Sequence, residues 1–160
     1  MQTSLFDIPS KYVIDSSSLI DLFRLYPPER KIFYPLWEKI NKATTEKLII
    51  SSRYVKKELN LDNNEEILKW IKNSGLQFAG FTSEETRLIP ELQRHFPNLI
   101  NWNSDENAAD PWIITLAITQ KLTVITEEKK KPNAHKIPNV CEYFGIECIN
   151  LLGLFGKEGW

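Results

Sequence analysis

The chain has 160 residues, 42% of them apolar and 26% charged, and a formal net charge of −1. That balance excludes a disordered chain, and no apolar run approaches the ~20 residues a membrane helix needs. A single domain over residues 1–160 is expected at this length, burying about 70% of its unfolded surface.

The start, "MQTSLFDIPSK", has no basic segment followed by an apolar core, so no secretory leader is expected and the cytoplasm is the default. "YVID" (12–15) is a short apolar run with a β-branched centre and predicts a buried strand. A serine at its exit can cap the helix "SLIDLFRLY", which Pro27 and Pro28 end. Aromatic and aliphatic residues at helical spacing follow in "FYPLWEKINKATTE". "KLIIS" is a second buried strand, and Ser51 or Ser52 opens the helix "SRYVKKELNL". "NEEILKWIKNSG" carries Ile67, Leu68, Trp70 and Ile71 near one face and stops at Gly75.

"LQFAGF" predicts a short strand, and "SEETRLIPELQRHF" a helix that Pro90 must kink or divide. The Asn-rich "FPNLINWNSDEN" reads as a loop. "DPWIITLAITQK" is helical, with Asp110 just ahead of Pro111 at the first position. "LTVIT" is a buried strand, "EEKKKPNAHKIP" a polar loop, "NVCEYFG" a short helix, "IECINL" a last strand and "LLGLFGKEGW" a terminal helix or arm. Strands alternate with helices and no hairpin dipeptide joins neighbouring strands. The expected fold is therefore α/β, a three-layer α/β/α sandwich around a central parallel sheet.

Ligands of open parallel sheets bind beyond the carboxyl ends of the strands. Asp15 leaves the first strand, Glu58 lies on the helix after the second, Asp110 heads the helix before the fourth, and Glu127 and Glu128 leave the fourth. Two like charges about 4 Å apart repel by ~4 kcal/mol at an effective dielectric near 20, so such acids together require a cation or raised pKa values. Oxygen ligands of this type suit Mg²⁺ or Mn²⁺, which activate water and clamp a phosphodiester. Taken singly, each acid also reads as a cap or a solvated side chain.

Other chemistries are poorly provided for. His95 and His135 have no Cys or His partner at zinc-ligand spacing, and Cys141 and Cys148 form no CxxC pair and read as reduced thiols. "DSSSLID" lacks the glycines of a dinucleotide-binding turn, and Ser17 stands where a haloacid-dehalogenase-like phosphatase needs a second Asp.

Together, "YVIDSSSLIDLF", "ISSRYVKKEL", "NAADPWIITLAI" and "LTVITEE" resemble the ordered motifs of the PIN-domain nuclease family, over roughly residues 11–152. The tail "KIPNVCEYFGIECINLLGLF" resembles an uncharacterised bacterial PIN-like subfamily, some of whose members accompany antitoxin-like genes. The resemblance implies a divalent-metal ribonuclease, often the toxin of a toxin–antitoxin pair and often a homodimer. By position it implies Asp15, Glu58 and Asp110 as catalytic metal ligands, with Ser17 supporting Asp15 and the strand-end Thr126 beside it. The fourth acid falls on Glu128, with Glu127 its rival; Glu where the family usually has Asp moves that carboxylate outward.

An RNA substrate would also meet local cations. Residues 121–136 hold five lysines against two glutamates. Lys129, Lys130, Lys131 and Lys136, with Arg53, Lys56 and Lys57, are the candidate phosphate contacts. A catalytically inactive PIN-like module that binds nucleic acid or protein is the alternative.

Overall fold

The computed structural model describes residues 9–99 and 109–160. Five strands, β1 (Tyr12–Ile14), β2 (Ile49–Ser52), β3 (Gln77–Ala79), β4 (Thr123–Ile125) and β5 (Cys148–Ile149), form one all-parallel sheet in the order β3-β2-β1-β4-β5. The helices are α1 (Ser16–Leu25), α2 (Tyr34–Thr45), α3 (Arg53–Leu61), α4 (Glu65–Ser74), α5 (Ser83–His95), α6 (Asp110–Gln120), α7 (Ile137–Phe144) and α8 (Leu151–Glu158), with a 3-10 turn at Lys31–Phe33. They flank the sheet as the outer layers of an α/β/α sandwich, the architecture the strand–helix alternation predicts. None of the described helices is long and apolar enough to cross a membrane.

Burial explains why the central strands read as continuous apolar runs. Every residue of β1, and Val124 and Ile125 of β4, is buried, as helices covering both faces of a parallel sheet require. On one face Ile14 and Ile49 share an apolar space with Leu19 and Leu22 of α1, Ile40 of α2, and Leu154 and Phe155 of α8. Phe23, Trp37 and Trp70 meet edge to face at 4.9–5.7 Å and bind α1, α2 and α4 together. α6 packs across β1, β2 and β4, and α5 and α7 pack on α6. Buried residues surround α6 on nearly every side, including Ile113, Ile114, Leu116 and Ala117. A helix that is apolar all round is a core helix, and this one carries its first residue, Asp110, inward.

Chain order places the site. β1, β2 and β3 run outward to one side, and the chain then returns to add β4 and β5 on the other. The topological switch lies between β1 and β4, where an open parallel sheet leaves its crevice.

Several boundaries differ from expectation for local reasons. α5 is not divided, because both Pro90 and Thr86, whose carbonyl loses its partner, are exposed to water. Thr82 with Glu85 forms its capping box. α7 starts at Ile137, before the expected Asn139, with Pro138 in its first turn. Gly75 takes φ 71° after α4, and a Cβ there would meet the Thr45 backbone at 3.1 Å. The expected loop 96–107 lies largely outside the described residues.

Candidate active site

Parallel register puts Ile14 of β1 beside Ile125 of β4. One step further along the same ladder, the Asp15 amide still donates to the Ile125 carbonyl at 3.1 Å. Asp15 and Thr126 therefore leave the sheet side by side. Both are buried, at 4% and 1% exposure.

Asp15, not a serine, is the N-cap of α1, its carboxylate accepting the Ser18 amide at 2.9 Å. The Ser17 hydroxyl lies 2.9 Å from both Asp15 oxygens, and the Thr126 hydroxyl donates to Oδ2. Burial pushes the Asp15 carboxyl up to about 6; these hydrogen bonds oppose the shift, and the Glu128 charge adds to it.

Glu58 joins two helix starts. Ser16 donates to its Oε2 at 2.8 Å and the Ala109 amide to its Oε1 at 3.0 Å. Burial raises its pKa, and the two donors oppose the rise. Asp110 lies in the first turn of α6, one position inside the N-cap Ala109 rather than ahead of the helix. Its side chain is buried, and no donor among the described residues reaches its carboxylate. Burial, then the charges of Glu128, Asp15 and Glu58, push it up to about 9, against the pull of Lys136. The charges of Glu128, Asp15 and Glu58 thus all reach Asp110 at the β1–β4 crevice.

The two candidates for the fourth acid part company here. Glu127 turns to α8, its Oε1 accepting the Leu151 amide at 2.7 Å. Glu128 accepts the Ile137 amide at 3.1 Å at the start of α7, and its charge acts on Asp15, Glu58 and Asp110. Among the described residues no group of three or more acids, cysteines or histidines is placed to hold a metal ion.

The family described as "Domain of unknown function (DUF4411)" matches residues 12–160, from the first residue of β1 to the end of the chain. The chain belongs to the DUF4411 family. No curated protein matches it.

In this DUF4411 domain the predicted basic residues fall into three groups. Lys136 precedes α7 and its charge reaches Asp110. Lys129, Lys130 and Lys131 are exposed on the loop after Glu128; Lys130 pairs with Glu142, and Asn139 binds the Lys131 backbone. Arg53, Lys56 and Lys57 are exposed on α3, with the Arg53 guanidinium 5.1 Å from the Phe81 ring centre and the Lys56 ammonium 5.7 Å from that of Phe78.

Sequence reasoning missed three participants at the crevice. Ser16 holds Glu58, Ser18 supplies the capping amide, and Ala109 supplies the second donor to Glu58. The run "DSSS" carried the signal for the serines, since consecutive residues of a first helical turn point in different directions. Ala109 carried none, because its contribution is a backbone amide.

Proposed function

We propose that this DUF4411 chain is a PIN-like ribonuclease that hydrolyses RNA phosphodiester bonds with Mg²⁺ or Mn²⁺. The observation that carries the reading is the convergence of Asp15, Glu58, Asp110 and Glu128 on the crevice between β1 and β4, where Ser16 and the Ala109 amide tie Glu58 to the neighbours of Asp15 and Asp110, and Thr126 bonds both Asp15 and the Glu128 amide. The donor set is all oxygen, and Asp110 is a buried carboxylate with no donor among the described residues; both suit a hard cation. No three of the described residues are placed to hold an ion together, which leaves a cation bound through its waters and one or two carboxylates, as Mg²⁺ is.

Of Asp15, Glu58, Asp110 and Glu128, one or two would hold the cation directly and the others through its waters; when bound it supplies charge neutralisation at phosphate and an acidified water. Ser17 and Thr126 orient Asp15 through their hydroxyls. Ser16 and the Ala109 amide hold Glu58 between α1 and α6. Lys136, whose charge reaches Asp110, would meet an anionic substrate. The roles of toxin, partner of a cognate antitoxin, and homodimer rest on the sequence resemblance.

A second reading has its own support. Asp15, Glu127 and Glu128 all accept helix-start amides, as purely structural caps do. A catalytically inactive PIN-like module binding nucleic acid or protein is consistent with that.

The deciding experiment is cleavage of single-stranded and structured RNA with Mg²⁺, Mn²⁺ or chelator, comparing wild type with Asp15→Asn. Metal-dependent cleavage lost in the variant is the expected result. Equal activity in both would remove Asp15 from the chemistry, and none in either would favour the binding module.

A further inference from the structure

Three aromatic rings lie together at the carboxyl edge of the sheet, beside the acids. Tyr54 is in the first turn of α3, Phe81 follows β3, and Trp112 is in the first turn of α6. Tyr54 and Trp112 are nearly parallel, 7° apart with centres 5.2 Å apart; Phe81 lies 29° from Trp112 at 4.5 Å and 28° from Tyr54 at 6.1 Å. The core trio Phe23, Trp37 and Trp70 differs, meeting edge to face at 68–77°. Both arrangements are ordinary aromatic packing, but the near-parallel rings stack face on face and leave the outer face of the stack, at half-exposed Phe81, as the place where one more flat ring can add.

Two further observations separate this trio from packing. The indole N–H of Trp37 donates to the Tyr26 carbonyl at 2.6 Å, and that of Trp70 to Asn41 Oδ1 at 2.9 Å. The indole N–H of half-buried Trp112 has no partner among the described residues and is not withdrawn from water, so it is open to a ligand. Phe81 keeps 43% of its surface exposed, and the exposed Arg53 guanidinium stands 5.1 Å from its ring centre. A cation beside an exposed aromatic suits a ligand that is both flat and anionic.

The position is also informative. Tyr54 and Glu58 are four residues apart, on one face of α3. Trp112 is two residues after Asp110, and the Ala109 amide bond to Glu58 ties α3 to the start of α6. The rings and the carboxylates therefore sit on one junction.

We infer that Tyr54, Phe81 and Trp112 form a stacking platform for an unpaired nucleobase of single-stranded RNA, with Arg53 receiving the adjoining phosphate. The inference rests on RNA being the substrate, and it restricts that substrate to unpaired segments, because a base can lie on the platform only when it has left its duplex stack. Stacking is tolerant of base identity, since every base has a π face.

The test is binding in chelator, where no metal-dependent cleavage occurs. Full-length wild type, Phe81→Ala, Trp112→Ala and Trp112→Phe are titrated with a fluorescent single-stranded RNA and with its duplex. Phe81→Ala and Trp112→Ala should each weaken single-strand binding by about tenfold or more, with duplex binding unchanged and Trp112→Phe restoring most of the loss. The salt dependence should stay that of wild type, because stacking releases no counterions. Phe81, being exposed, keeps the test valid should Trp112→Ala misfold.

Three results would overturn the inference: unchanged single-strand affinity in Phe81→Ala, equal loss on duplex, or no wild-type affinity for single strands. Platform-dependent binding by a protein that never cleaves RNA with metal would sink the nuclease reading alone, and cleavage indifferent to Phe81 would sink this one alone.

Discussion

The Thr126 hydroxyl donates a hydrogen bond to the carboxylate of Asp15 across 111 residues of sequence. The pairing of β1 with β4 sets the bond, which serves a carboxylate with 4% exposure. It links the ends of the two strands flanking the crevice, and it bears on both stability and charge.

Replacing Thr126 by the isosteric valine should therefore act through Asp15. A hydrogen bond to a buried charged group is worth about 1.5–3 kcal/mol, and its loss should lower urea stability by that order at pH 8. The Asp15 pKa should also climb above about 6, since one donor favouring the ionised form is gone. Carboxyl NMR titration of Asp15 with urea melts measures both. An unmoved Asp15 titration would mean the hydroxyl has another partner in solution.

Asp110 should make the chelated protein less stable as pH rises. Its folded pKa, about 9, lies above its unfolded value near 4, so over that interval the unfolded chain has released a proton the folded chain retains. Stability falls by about 1.4 kcal/mol per pH unit for each such group, with Asp15 contributing up to about pH 6 and Asp110 up to about pH 9. Asp110→Asn should flatten the curve between pH 6 and 9 and match or exceed wild-type stability at pH 8. Denaturation at pH 5, 7 and 8.5 tests it; a variant uniformly weaker by a constant amount would point to Asp110 as a charged structural group. With Mn²⁺ present the order should reverse, wild type gaining more thermal stability than the variant.

Glu127 and Glu128 should separate by readout. Glu127→Ala removes the acceptor at the start of α8 and should cost about 1 kcal/mol, leaving Mn²⁺ affinity unchanged. Glu128→Ala should cost a similar amount and also weaken Mn²⁺ binding, because its charge acts on the three other acids. Calorimetric metal titrations of both variants decide the matter, and equal affinities would remove Glu128 from the metal set.

The lysine loop should affect RNA affinity more than turnover. On a single strand each phosphate contact contributes about 0.7 to the log K versus log salt slope, so replacing Lys129, Lys130 and Lys131 by Ala should flatten it by about 2. The Lys130–Glu142 pair is exposed and adds little to stability, so the triple variant should fold normally. Cleavage at saturating RNA should be nearly unchanged. A slope matching wild type would make these lysines solvated surface.

The sequence by itself determined the parallel sheet and the approximate place of the acids. "YVID", "KLIIS" and "LTVIT" are apolar because helices cover both faces of each strand, and that demand is met residue by residue along the chain. Acids at strand exits and helix starts were legible for the same reason, since a cap is a local requirement. What each acid touches was not. Glu127 and Glu128 are adjacent and chemically alike, and only the packing of α7 and α8 sends one toward Leu151 and the other toward Ile137. Asp110 has a helix start like any capping residue, yet burial and three neighbouring carboxylates make it the most perturbed acid of the crevice. Tyr54, Phe81 and Trp112 come from three segments whose aromatic content looks ordinary, and the near-parallel arrangement of their rings exists only after β2, β3 and α6 have packed. Strand order and register bring these groups together. Both are properties of the whole sheet, because each pairing depends on residues far away in the chain, and no local pattern encodes them.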